Sequence, residues 1–160
     1  MRLCALVCAT LLLGACAHPW NSLDVAPGAT REQVVQRAGP PTRVLPLPEG
    51  GQRLQYSMQP MGQYAFMVDL DAAGRVTSAR QVLTAREFAR IQPGWTRADV
   101  EREFGPPARV DGVASWNGPV MTYRWREQGD MFYWVYLDPQ GVVHRAHQGI
   151  EHFNAPNDRD

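Results

Sequence analysis

The side chains with chemistry to offer are four histidines, three cysteines, four serines and a group of arginines set beside aromatic residues. His144-x-x-His147, with His152 downstream, has a spacing that could suggest a metal site. The segment reads as a strand, where residues three apart point to opposite faces, so two ligands would not converge and no metal site is expected. The serines are Ser22, Ser57, Ser78 and Ser115, and none sits in a G-x-S-x-G elbow. There is no P-loop, no G-x-G-x-x-G and no zinc-ligand spacing. No catalytic residue, metal or cofactor is assigned, and the chain reads as a non-enzyme. What remains is binding chemistry. Arg124 and Arg126 alternate along one run, and Phe132, Trp134 and Tyr136 along the next. Period-two alternation puts all five on one face. Aromatics beside guanidinium groups have the composition of a protein-contact surface.

The elements that position these residues come in two copies. Residues 27–44 read PGATREQVVQRAGPPTRV and residues 93–110 read PGWTRADVEREFGPPARV, identical at ten of eighteen positions at an offset of 66. Average amino-acid usage gives about one match by chance, so the chain contains a duplication. Thr30 and Thr96 are N-caps, with Gln33 completing a capping box in the first copy only. Val34 and Ala38, like Val100 and Phe104, are four apart and share a helix face. Gly39 and Gly105 then supply a left-handed C′ residue, and the Pro pairs 40–41 and 106–107 forbid continuation. Such a two-turn helix must lie on something to persist. Alternating runs at 54–58, 64–70 and 75–82, and again at 121–125, 131–137 and 142–149, predict a three-stranded antiparallel meander in each copy. The turns at 71–74 and 138–141 each end in Gly, and from the strands onward the offset is 67. A capping box at residues 84–87 predicts a further helix to residue 92. The expected class is α+β: two tandem helix–helix–meander units over residues 27–83 and 84–153, then a polar tail over 154–160. The first helix of the first unit has only residues 21–26 to form from.

The N-terminus is of another kind. Residue 2 is Arg, residues 3–13 are apolar, and Leu13-Gly14-Ala15-Cys16 follows. The apolar run is too short for a permanent membrane span and reads as a secretory signal over residues 1–15. Its end resembles the bacterial lipobox, where the chain is cut before a cysteine that becomes lipidated, here Cys16. Residues 16–26 would then be the lipidated residue and tether, reaching about 35 Å at most. Cys4 and Cys8 leave with the signal, so the mature chain has no disulfide. The whole chain is 160 residues with 16 basic and 16 acidic side chains, every basic one an arginine. Maturation leaves 15 basic against 16 acidic. Neither balance suits a phosphate-neutralising nucleic-acid binder. Ala17, where Asp would signal inner-membrane retention, points to the outer membrane and its periplasmic face.

The motif G-x-T-x-x-x-V-x-x-x-x-G-x-P occurs at Gly28–Thr30–Val34–Gly39–Pro41 and again at Gly94–Thr96–Val100–Gly105–Pro107. With a Tyr-bearing strand and a D-x-x-G hairpin after it, each copy resembles the BamE/SmpA-type (SmpA/OmlA domain) outer-membrane lipoproteins over nearly all of residues 26–152. That resemblance implies a lipid anchor at Cys16, no other cofactor, and protein partners in the envelope, the barrel-assembly complex among them. The tandem arrangement also resembles the β-lactamase-inhibitory proteins, whose paired sheets form a concave binding face. That likeness implies, as the alternative, a binder or inhibitor of a periplasmic enzyme. Positions alike in both copies serve the fold, and those that differ are free to specialise. Ala65, Met67 and Asp69 of the first copy become Phe132, Trp134 and Tyr136 in the second. The face these build is either an interaction surface or packs against the first copy or the C-terminal segment.

Overall fold

The computed structural model describes residues 23–150. The signal peptide, Cys16, Trp20, most of the tether, His152 and the polar tail lie outside the described residues. The fold is α+β with two four-stranded antiparallel sheets and few helices. The first sheet has the order β1 (Arg43–Pro46), β2 (Gln52–Ser57), β3 (Ala65–Leu70), β4 (Val76–Gln81), preceded by helix α1 (Arg31–Ala38). The second has β5 (Arg109–Gly112), β6 (Pro119–Arg126), β7 (Asp130–Leu137), β8 (Val143–Ile150), preceded by α2 (Ala85–Phe88) and α3 (Arg97–Phe104).

Three-stranded sheets were expected, and each sheet has one strand more. The added strands, β1 and β5, are four-residue edge strands carrying little apolar alternation, RVLP and RVDG. They form because the proline pair after each helix turns the chain back along its neighbour. Thr42 N–H donates to Gln55 O at 2.7 Å and Ala108 N–H to Thr122 O at 2.8 Å. The helices also differ from expectation in detail. Both α1 and α3 carry full capping boxes, since Thr96 N–H donates to Asp99 Oδ2 at 2.9 Å just as Thr30 N–H donates to Gln33 Oε1 at 2.8 Å. Gly39 and Gly105 do have positive φ, +76° and +79°, but ψ near 180° places them in the extended region open only to glycine, not the left-handed helical well. α2 is a single turn that ends before Ala89, and Ile91 closes an i→i+3 turn onto Phe88. No helix forms over residues 23–29, and Leu23 and Val25 pack instead on the first core.

The repeat explains its own identities. Tyr56 Oη donates to Gly39 O at 3.2 Å, and Tyr123 Oη to Gly105 O at 2.9 Å, so the shared Tyr ties each sheet to the end of its helix. The chain entering each helix pairs with the last strand of the same half, Gly28 N–H on Val76 O and Gly94 N–H on Val143 O. Asp71 Oδ1 and Asp138 Oδ1 each accept two backbone N–H bonds across their hairpins at 2.9 Å. Both sheets bulge just before that turn.

The layers stack as α1, first sheet, α2 with α3, second sheet. Val34 and Ala38 of α1 lie on Leu54, Tyr56, Phe66, Val68 and Leu70. Val100 and Phe104 of α3 lie on Met121, Tyr123, Val135 and Leu137, with Phe88 stacked on Tyr133 at a centroid distance of 4.0 Å. The surprise is the other side of the first sheet. Ala65 and Met67 are fully buried and belong to the second core. Arg53, with a side chain only 7% exposed, forks onto Asp69 at 2.6 and 2.8 Å and reaches Glu103 of α3 at 2.7 Å. Gln55 Nε2 donates to Glu101 O and Arg102 O, both at 2.9 Å. Arg102 O, left without a helical partner at the end of α3, accepts from both Gln55 and Arg53, and Glu101 O accepts from Gln55 beside the Gly105 N–H. The concave face that the inhibitor likeness implies would need both sheets open, but α3 lies between them.

Candidate functional site

Among the described residues, no helix lies on the face of the second sheet turned away from α3. Strand register places Thr122 opposite Trp134, Arg124 opposite Phe132, His147 opposite Trp134 and Arg145 opposite Tyr136. Opposed residues project to one side of a sheet, so these side chains share a face with Arg109, which pairs with Thr122. Phe132, Trp134 and Tyr136 are half-buried on it, alternating with the buried Tyr133, Val135 and Leu137.

The three aromatics form a continuous patch through ring contacts. Phe132 and Trp134 have centroids 5.7 Å apart, and His147 lies 5.2 Å from both Trp134 and Tyr136. His147 Nε2 is 3.2 Å from Tyr136 Oη. The Arg145 guanidinium sits 4.3 Å from the Tyr136 centroid and 5.4 Å from that of Trp116, whose indole N–H donates to Leu137 O at 2.7 Å. At the other end Arg109 lies 5.8 Å from the Phe132 centroid and pairs with Asp111 at 2.9 Å. Gly149 makes room for this surface. A Cβ there would come within 2.5 Å of the Trp134 indole, which lies across β8.

Of the five residues expected on this face, the aromatic three are together. The two arginines have intramolecular work. Arg124 Nη1 donates to Met61 O at 3.1 Å, and Gln59 bonds both its N–H and its carbonyl, so residues 59–62 of the first half clasp β6. Arg126 pairs with Asp130 at the mouth of the β6–β7 hairpin, 3.0 Å away. Asp130 is held below the usual carboxylate range by the Gln63 side chain and then by Arg126 and Arg124. Arg124 and Arg126 therefore frame the face and fix the loop beside it. Trp116, Arg109, Arg145, His147 and Gly149 complete the face, and sequence reasoning missed them because membership depends on cross-strand register. The signal present was β8 itself, a strand beside the aromatic run.

Between the clasp and β5 is a shallow cavity of about 240 Å³ lined by Pro60, Ala108, Arg109, Thr122, Arg124 and Phe132. No group of three metal-ligating side chains occurs among the described residues, and no described helix is long and apolar enough to cross a membrane.

No protein-family model matches the chain, and no curated protein matches it in sequence. Its likeness to solved structures is weak. A DUF4309 family protein (YjgB) from Bacillus subtilis is 16% identical at a TM-score of 0.31, over 77% of this chain and 79% of that one. A cysteine-rich secretory protein (SAV1118) from Staphylococcus aureus is 13% identical at a TM-score of 0.31, over 76% of this chain and 42% of that one. Likenesses at this level carry no assignment.

Proposed function

We propose that this chain is a lipoprotein of the bacterial outer membrane, anchored through Cys16 and facing the periplasm, that acts without catalysis by holding another envelope protein against the open face of its second sheet. Its two halves are read as tandem units of the BamE/SmpA type, and its role as accessory to outer-membrane assembly or integrity. One observation carries the binding reading. Residues 131–137 are seven consecutive apolar or aromatic residues, MFYWVYL. Such a run is the pattern of a strand covered on both faces. The matching run of the first sheet, AFMV at the start of β3, is buried on both faces, by α1 and α3. In the second sheet one face is covered and Phe132, Trp134 and Tyr136 are left half-exposed on the other.

The anchor agrees with this arrangement. Leu23 and Val25 already pack on the first core, so Cys16 lies at most about 25 Å of chain from the folded body. The lipid attachment itself is tested by fractionation. Cys16→Ala should release the protein from the outer-membrane fraction, and retention there would end the anchor reading. The binding face is tested by a photo-crosslinking residue at Trp134 in cells, with one at the exposed Thr77 on β4 as control. A discrete adduct from Trp134 alone is the expected outcome. Barrel-assembly subunits in that adduct support the assembly role, and a single soluble periplasmic enzyme supports the inhibitor alternative.

A further inference from the structure

The first sheet shows how a face of this kind is covered, and the duplication allows that contact to be mapped onto the second. Glu101 of α3 pairs with Arg43 on β1 at 2.9 Å. The last carbonyls of α3 accept from Gln55, and Gly105, at the helix end, lies over Ser57 and Met67. The acidic C-terminal turn of a helix thus rests on Arg43, Arg53, Gln55, Ser57 and Met67. Register places Arg43 opposite Gln55 and Gln55 opposite Met67, as it places Arg109 opposite Thr122 and Thr122 opposite Trp134. At the offsets of the repeat the equivalent residues are Arg109, Val120, Thr122, Arg124 and Trp134, and Arg109, Thr122 and Arg124 line the 240 Å³ cavity together with Phe132. The seat that α3 fills on the first sheet is a hollow on the second.

We infer that this hollow receives the C-terminal turn of a helix from a partner protein, with a carboxylate of that turn on Arg109 as Glu101 lies on Arg43. This rests on the binding reading above and names the element bound. Charge favours an acidic occupant. Arg109 lines the hollow with its guanidinium also on Asp111 at 2.9 Å, and farther along the face Arg145, stacked on Tyr136, pairs with no carboxylate among the described residues. A second copy of this chain fits less well. The helix exposed at its free end is α1, where Val35 and Arg37 stand in place of Glu101 and Glu103, presenting a cation to a cationic face. The larger Phe132 and Trp134, where the first sheet has Ala65 and Met67, hold the incoming helix farther out and supply the apolar contact.

The probe is a stapled helical peptide carrying residues 94–107 of this chain, titrated into the whole protein. Binding is read by fluorescence anisotropy and by the indole N–H resonances of the tryptophans. Saturable binding that shifts Trp134 and leaves the buried Trp125 unmoved is expected. Glu101→Lys in the peptide, or Arg109→Glu in the protein, should each weaken it about tenfold, and the two together should restore most of the loss. Arg109 and Asp111 are exposed, so the protein variant keeps its fold. No binding, or equal affinity for the Glu101→Lys peptide, would overturn the inference. A concentration-dependent dimer that Arg109→Glu dissolves would overturn it in favour of a second copy. If the peptide fails while Trp134 still crosslinks a partner in cells, the helix-end inference falls and the binding face stands. If both fail, both fall.

Discussion

Arg53→Met would test whether α3 is held between the two sheets by charge as the structure shows. The Arg53 guanidinium makes two bonds to Asp69 and one each to Glu103 and Arg102 O. Asp69 then keeps only Ser78 Oγ at 3.4 Å, whereas Glu103 keeps Arg80 at 3.2 Å and Arg90 at 3.1 Å. Removing one partner of a buried pair costs about 3–5 kcal/mol because the other charge stays behind without compensation. The lower end applies here, since the Asp69 and Glu103 side chains are 16% and 19% exposed and Glu103 retains two partners. A loss of about 3 kcal/mol lowers the melting temperature of a domain this size by about 6–12 °C. Urea unfolding followed by tryptophan fluorescence measures it. Asp69→Leu added to Arg53→Met should recover at least about 1 kcal/mol, because it removes the stranded carboxylate. Arg43→Ala, at an exposed pair, should cost under about 1 kcal/mol. A loss below about 1 kcal/mol for Arg53→Met would refute the claim that the network secures α3 to the first sheet.

Other consequences are as direct. Glu101 and Glu103 are both pushed up by burial, yet their arginine partners bring them below the ordinary carboxylate value. A carboxylate depressed in the folded state contributes stability above its unfolded pKa and loses it as pH falls through the folded value. The urea midpoint should therefore fall progressively below about pH 4.5, and a flat profile down to pH 3 would contradict the pairing. Phe88→Ala, at a fully buried ring touching Phe104, Tyr133 and Trp125, should cost about 3–5 kcal/mol in thermal unfolding. Trp134→Ala should cost under about 1.5 kcal/mol, and a loss like that of Phe88 would show its face to be core. Tyr123→Phe leaves Gly105 O without its side-chain donor and should cost about 1 kcal/mol in the same measurement.

The repeat was the most legible feature, because its shared residues each have a local duty. Thr caps a helix, Gly and Pro end it, and Asp closes a hairpin within four residues. The added edge strands were not legible, since Arg43–Pro46 and Arg109–Gly112 are held by backbone pairing and carry almost no hydrophobic pattern. Nor was the covering of the first sheet by α3. The unbroken run from Ala65 to Val68 already had the form of a strand buried twice. That pattern, once seen on the first sheet, gives the second its meaning, because β7 carries the same continuous run without a second cover among the described residues. Arg124 shows the opposite limit. Period-two alternation assigned its face, but the clasp by residues 59–62 comes from another part of the chain, so reversing its charge should cost stability as well as contacts.

The central claim is that the open face of the second sheet is where this protein meets its partner. The most direct measurement is in-cell photo-crosslinking scanned over the surface, with the probe placed in turn at Phe132, Trp134, Tyr136 and His147, and on the outer side of α1 at Glu32 and Gln36. One discrete adduct from the four sheet positions and none from α1 is the expected result. Adducts from α1 alone, or none from the sheet, would contradict it.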